Sequence, residues 1–342
     1  MAGSLRHEKM NQRKQQFLRN QNLESLLSNL NALLAPIQQE VSRNFQKPRY
    51  PLILIVGCAR SGSTLMMQWL ASTAQFAYPT NFLSRFYASP YIGAMIQQML
   101  INPTYQYKEE FADVKSFALF KSDLGKTSGL FAPNEFYYFW RRFFKYGEIQ
   151  YLREDETRNI EANGFFSELA SIESVFEKPL AMKGHLIGWN IPFFYSLFSN
   201  VIFVHVKRDP IYTAQSLLEA REKFFGDQSQ WYSFKPVEYP MLKELAPYQQ
   251  VAGQVYFTNR AVQQGLSAIE ELNWLSVSYE EFCKSPQKTY RQLRERLALF
   301  GYEITSRYIG LKRFESSNQV RLSKRQFSLI SKAYEEFQGN VG

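Results

Sequence analysis

Gly57-Cys58-Ala59-Arg60-Ser61-Gly62-Ser63-Thr64 brings two glycines, an arginine and three hydroxyl side chains into one short segment. Glycines let the backbone turn tightly with several N–H groups pointing to one side. A helix starting at the end of the segment adds the positive end of its dipole, and the two together make a cradle for an anion. The frame is G-x-x-x-x-G-x-T, that of a phosphate-binding loop, with Ser63 where nucleotide hydrolases carry lysine. The missing lysine argues against ATP or GTP hydrolysis, and Arg60 can supply a cation from inside the loop. Gly125-Lys126-Thr127 ends like a similar motif, but Phe120 stands where its first glycine belongs.

These residues need elements to hold them. Pro51-Leu-Ile-Leu-Ile-Val-Gly57 is a short apolar run bounded by Pro and Gly, which predicts a strand buried on both faces, and Leu65 to Leu70 predicts the helix after the loop. Val201 to Lys207 is a second such run, followed by Arg208-Asp209-Pro210 and a helical pattern from Ile211 to Lys223. A third strand is expected at Trp274 to Val277, ahead of Ser278-Tyr279-Glu280-Glu281 and a charged helix from Pro286 to Phe300. Strands alternating with helices predict an α/β fold: a P-loop-type three-layer arrangement with a central, mainly parallel sheet flanked by helices. Residues 80–180 read as a mostly helical, aromatic-rich insertion. Residues 1–47 read as an N-terminal helical extension of one or two amphipathic helices broken at Pro36, packed on the main domain, 48–342, or pairing with a second copy.

The 342 residues include 45% hydrophobic and 16% aromatic side chains, enough for a packed core and incompatible with a disordered chain. Lys plus Arg number 40 against 31 Asp plus Glu, a net charge of +9 that favours anionic partners. Only Cys58 and Cys283 occur, without metal-ligand spacing, so neither a disulfide framework nor a metal site is expected and the chain suits a reducing compartment. The polar residues 1–16 lack a signal-peptide core, and no apolar run approaches the roughly 20 residues that span a bilayer. A cytoplasmic protein is expected, with peripheral contact at the inner membrane face as a further expectation.

With the loop and the Arg208 segment in view, the chain resembles the sulfotransferases that use 3′-phosphoadenosine 5′-phosphosulfate (PAPS). Arg60-Ser61-Gly62-Ser63-Thr64 matches that family's 5′-phosphosulfate loop, and Arg208 after a buried strand, with Ser216 eight residues on, matches its 3′-phosphate site. Lys183-Gly184-His185 is similar to the Lys-x-His segment of cytosolic members, in which the histidine is the base, and Tyr279-Glu280-Glu281 to the segment whose tyrosine lies by the adenosine. Two departures stand out. The glycine-rich C-terminal cofactor loop is absent, with only basic residues such as Arg321, Lys324 and Arg325 in its region, and Asn81 stands near the place of the catalytic glutamate of the protein-tyrosine branch.

The resemblance implies metal-free sulfuryl transfer from PAPS, with Arg60 and the loop N–H groups holding the 5′-phosphate, Lys183 stabilising the bridging oxygen and His185 accepting the acceptor's proton. Glu135, in Pro133-Asn134-Glu135, is the reserve base, while His7, in a polar tail, and His205, in a strand, read as structural. Phe131 to Tyr146 holds nine aromatics, some of which must pack the core while others, around Phe136 to Trp140, could wall an acceptor site. The expected acceptor is a hydroxyl of a bacterial glycan or glycolipid; a small hydroxylated metabolite and protein tyrosine are the alternatives. A P-loop kinase is disfavoured by the missing lysine, and a nucleic-acid partner has only the positive charge in its favour, with no recognition motif.

Overall fold

The computed structural model describes residues 13–108, 121–123, 126–184, 186–198 and 200–339. The chain opens with α1 (Gln21–Ser42) and then β1 (Leu52–Val56), whose five residues are all buried. Helices α2 (Ser63–Ser72) and α3 (Pro90–Ile101) follow, then a small antiparallel ribbon, β2 (Lys121–Asp123) with β3 (Lys126–Ser128). Next come α4 (Tyr137–Phe143), α5 (Glu154–Arg158), α6 (Ala162–Phe176), β4 (Ala181–Lys183), α7 (Ile191–Leu197), β5 (Val201–Lys207) and α8 (Pro210–Phe225). The chain continues through α9 (Tyr239–Leu242), α10 (Pro247–Ser267), β6 (Trp274–Ser278), α11 (Tyr279–Lys284), α12 (Pro286–Leu299) and α13 (Lys324–Gly339).

Four strands form one parallel sheet in the order β4-β1-β5-β6. Because side chains alternate along a strand, Leu52, Leu54 and Val56 join one core while Ile53 and Ile55 join another. The first core packs the sheet against aromatics of α4, α6 and α7 and against Val262 and Leu266 of α10; the second packs it against α2, α11 and α12. The three-layer α/β reading therefore holds. The described part of the 80–180 region is mostly helical, through α3, α4, α5 and α6, with the addition of the β2–β3 ribbon, which contains the Lys126-Thr127 of the rejected motif; just beyond it, β4 is an edge strand of the main sheet. Three residues carry too little periodicity to be read as a strand.

Pro36 does not break α1, which runs through it unbroken. Pro36 and Ala32, whose carbonyl loses its helical partner, both lie on the exposed side, where water can satisfy that oxygen. Polar anchors clamp the helix on either side. Asn31 donates to the Arg85 carbonyl at 2.8 Å and accepts from the Ala88 N–H at 2.7 Å, and Gln38 accepts from the Tyr91 N–H at 3.0 Å. The helix thus buries Leu27, Asn31, Gln38 and Ser42 while Leu26, Leu33 and Ile37 stay exposed.

Candidate active site

The carboxyl ends of parallel strands are where loops can gather without crossing the sheet, and all four strands deliver a candidate residue there. In sheet order these are Lys183 at the end of β4, the 57–64 loop after β1, Arg208 after β5 and Tyr279 after β6. They line a cavity of about 450 Å³, within the roughly 300–1,000 Å³ usual for small-molecule sites.

Two glycines are required by the loop's geometry. At Gly57, φ is +144° and an added Cβ would meet the Val206 carbonyl oxygen at 2.6 Å; at Gly62, φ is +100° and a Cβ would meet the Tyr279 ring at 2.4 Å. Arg60 itself adopts φ +71°, so the loop turns through left-handed conformations at three of its residues before Ser63 starts α2. Ser61 is buried and its hydroxyl has no protein partner, while Arg60, Gly62, Ser63 and Thr64 face the cavity. An orphaned hydroxyl, an arginine and a helix N-terminus make a donor set suited to a phosphate or sulfate group.

Arg208 is buried, and its guanidinium is held by neutral acceptors: Asn318 Oδ1 at 2.7 Å, the Arg60 carbonyl at 3.0 Å and the Ser317 carbonyl at 3.1 Å. Burial pulls its pKa below the usual arginine range, with Arg60 and Arg321 acting in the same direction. Asp209 does not pair with it; its carboxylate caps α8 by accepting from the Ile211 and Tyr212 N–H groups. A buried cation fully supplied with neutral acceptors is electrostatically incomplete, and a ligand phosphate would complete it. Ser216 lies beneath the cavity rather than on its wall, accepting a 3.1 Å hydrogen bond from Arg60 Nε. The residues read as the 5′ and 3′ anion sites are thus directly linked.

Tyr279 lies under the Arg208 guanidinium, 4.9 Å from ring centroid to Cζ. Its hydroxyl accepts from the Ser317 N–H at 2.9 Å and sits 2.9 Å from Ser317 Oγ. Sequence reasoning missed Ser317 and Asn318. The C-terminal segment closes the site with these neutral side chains, and Asn318 in turn donates to Glu280 at 2.8 Å. Of the basic residues noted there, Arg321 is engaged by both Glu219 carboxylate oxygens at 2.7 Å, and Lys324 and Arg325 lie in the first turn of α13. No local signal distinguishes Ser317 or Asn318 from any polar loop; only the return of the chain across β6 does.

At the other end of the row, Lys183 Nζ is 2.6 Å from Glu135 and 3.5 Å from Thr64 Oγ1, bridging the loop and a carboxylate. Asn134 braces Glu135's segment: its N–H donates to the Pro79 carbonyl at 2.8 Å, its amide to Asn81 Oδ1 at 2.8 Å, and it accepts from the Phe136 N–H at 2.8 Å. Asn81, through that bond, is a brace for this loop. His185 lies outside the described residues, as does His7. His205 is buried within β5, where desolvation and then Lys207 lower its pKa to about 4, the neutral structural histidine that its strand position implied. Cys58 is buried with its thiol pushed up to about 12, far from reactive thiolate behaviour.

Beyond Glu135 a second cavity of about 620 Å³ opens, sharing with the first the wall made by Lys126, Glu135 and Tyr232 to Phe234. Of the aromatics from Phe136 to Trp140, Phe136, Phe139 and Trp140 are packed into the core, Phe136 stacking on Phe139 at 4.5 Å, and only Tyr137 faces this cavity, together with Tyr146. Among the described residues no group of three or more His, Cys, Asp and Glu is placed to hold a metal, and no helix is long and apolar enough to cross a membrane.

The sheet order and the glycine-turned loop at the strand ends define a P-loop-type α/β protein. Residues 51–300 match the Sulfotransferase family, and the chain belongs to that family. Its fold is similar to that of the sulfotransferase STF9 from Mycobacterium avium, at TM-score 0.51 and 10% identity, over 94% of this chain and 85% of that one. STF1 from Mycobacterium tuberculosis H37Rv also matches, at TM-score 0.47 and 11% identity, over 91% of this chain and 78% of that one. No curated protein sequence matches the chain.

Proposed function

We propose that the protein transfers a sulfuryl group from PAPS to a hydroxyl of a bacterial glycan or glycolipid, without a metal. The observation that carries this reading is the row Lys183, phosphate loop, Arg208, Tyr279 along one cavity, with an acid–base pair at the end that opens onto a second cavity. Arg60, Ser61 and the N–H groups at the start of α2 hold the 5′-phosphate. Arg208 holds the 3′-phosphate, and the Tyr279 ring borders the nucleoside. The acceptor oxygen attacks sulfur in line as the bond from sulfur to the bridging oxygen breaks, and PAP leaves with the negative charge. Lys183, poised at Thr64, stabilises that charge on the bridging oxygen.

The acceptor's proton must go to a base on the acceptor side. Glu135 meets the geometric requirement, since it faces Lys183 and lines both cavities. His185, two residues beyond Lys183 in the chain, is the base implied by the cytosolic members. Glu135→Gln and His185→Ala in single-turnover transfer with labelled PAPS decide between them: the base variant loses rate while keeping PAP affinity. Calorimetry with PAP in the presence of a chelator tests the metal-free cofactor reading on which the rest depends. Failure of PAP to bind, or binding only after metal is added back, would remove it.

A further inference from the structure

The cavity beyond Glu135 collects cations from distant parts of the chain: Arg13 and Arg19 from the N-terminal segment, Lys126 from β3, Arg141 from α4 and Lys235 from the stretch between α8 and α9. Two of the five are answered by carboxylates. Lys235 pairs with Glu148, and Arg19 stands 4.0 Å from Glu24. The one carboxylate on the cavity's wall, Glu135, is engaged by Lys183. Arg13, Lys126 and Arg141 have no ion-pair partner among the described residues. Burial and then the nearby Arg13 hold the Lys126 ammonium below its usual range, so these two positive groups meet at a cost that an anion between them would remove.

Arg141 and Lys126 are also held in place by their neighbours, and the backbone that carries Arg13 is anchored. Arg141 lies over the Tyr146 ring at 4.3 Å and donates to the Tyr146 carbonyl at 2.7 Å. Its helix is anchored one residue on, where Arg142 makes two 2.7 Å bonds to the Glu168 carboxylate. The N-terminal segment carrying Arg13 is strapped to the end of α8: the Lys14 N–H donates to the Phe224 carbonyl at 2.9 Å, and the Phe17 ring packs 4.2 Å from Phe224. Lys126 stands over both of those rings, at 5.7 and 5.4 Å. A guanidinium fixed as that of Arg141 is loses little freedom when an oxyanion binds. Tyr137, exposed on the same wall, offers a face for a sugar ring.

We propose that the acceptor is itself anionic: a sugar already carrying a carboxylate, sulfate or phosphate, held by Arg13, Lys126 and Arg141 so that a neighbouring hydroxyl lies at Glu135. The proposal rests on the sulfuryl-transfer reading of the adjoining cavity. A neutral phenol or sterol would strip water from three unpaired cations and give nothing in return.

The test is calorimetry on the PAP-saturated protein with four forms of one oligosaccharide: glucuronate-containing, carboxyl-reduced, sulfated and phosphorylated. At least one acidic form should bind about tenfold or more tighter than the neutral one, with the advantage shrinking as salt is raised. Arg13→Gln and Arg141→Gln should each weaken that acidic form about tenfold while leaving the neutral form and PAP unchanged, and Arg141→Lys should recover part of the loss. Equal affinity for neutral and acidic forms, no binding of any acidic form, or unaltered binding by both glutamine variants overturns the proposal. If PAP fails to bind the wild type, the cofactor reading falls instead, and the acidic-versus-neutral comparison is made on the free protein.

Discussion

The cavity proposed for the cofactor takes its lining residues from the carboxyl ends of four adjacent strands, whereas the cavity proposed for the acceptor takes its own from an N-terminal strap, a small ribbon, one short helix and a loop that share no sheet. In the first, the backbone follows a course the parallel ladder dictates, and glycines at 57 and 62 are required because any side chain there would strike Val206 or Tyr279. The second is lined by long side chains, some held by aromatic faces and local hydrogen bonds. Strand ends are stiff and their chemistry is hard to vary; straps and ribbons can change without disturbing the sheet. One fold can therefore keep its donor and alter its acceptor.

That contrast is broken most directly on the cofactor side. Arg60→Ala and Arg208→Ala should each lose roughly 2–4 kcal/mol of PAP binding by calorimetry, because each removes a charged contact to a phosphate. Equal losses of acceptor binding in the same variants would show that the two cavities are not separable.

The next effect belongs to the sheet beneath. His205 titrates near 6.5 when unfolded and at about 4 in the fold, so the folded state binds fewer protons between those values. Its contribution to stability is full above pH 6.5, is lost as pH falls toward 4, and changes no further below that. The loss amounts to about 3 kcal/mol. Urea titrations of wild type and His205→Leu across this window should show a shallower decline in the variant, and parallel curves would refute the assignment.

At the junction of the cavities, Glu135→Gln should slow single-turnover transfer about 100-fold with PAP affinity kept within a few fold. A wild-type rate would hand the proton to His185. The smallest expected effect sharpens the comparison at the C-terminal closure. Asn318→Ala removes the acceptor that orients Arg208 and the link to Glu280, which should cost about 1 kcal/mol of PAP affinity and leave acceptor binding untouched.

Residues that act through neighbours in the chain were legible without a structure. The phosphate loop, the strand that feeds it, and Arg208 followed by a capped helix are all patterns of a few consecutive residues, set by turning rules, burial on both strand faces and helix start signals. Lys183 was legible only through family resemblance, because β4 is three residues long and its strand character comes from pairing with β1. Pro36 and the buried polar face of α1 misled a periodicity reading, since the partners of Asn31 and Gln38 lie at Arg85, Ala88 and Tyr91.

Composition and local pattern thus determined the α/β class, the glycine-turned loop before α2 and the strands that lead into it and into Arg208. Tertiary structure alone decided that Arg60 reaches Ser216, that Ser317 and Asn318 close around Arg208, that Glu135 faces Lys183, and that most of the aromatic cluster packs the core while Arg13, Lys126 and Arg141 converge on one cavity. The reason is physical. A turn or a strand is specified by the conformational preferences of adjacent residues, but a meeting of side chains from separate elements is specified only by how the layers pack, and no local preference encodes that.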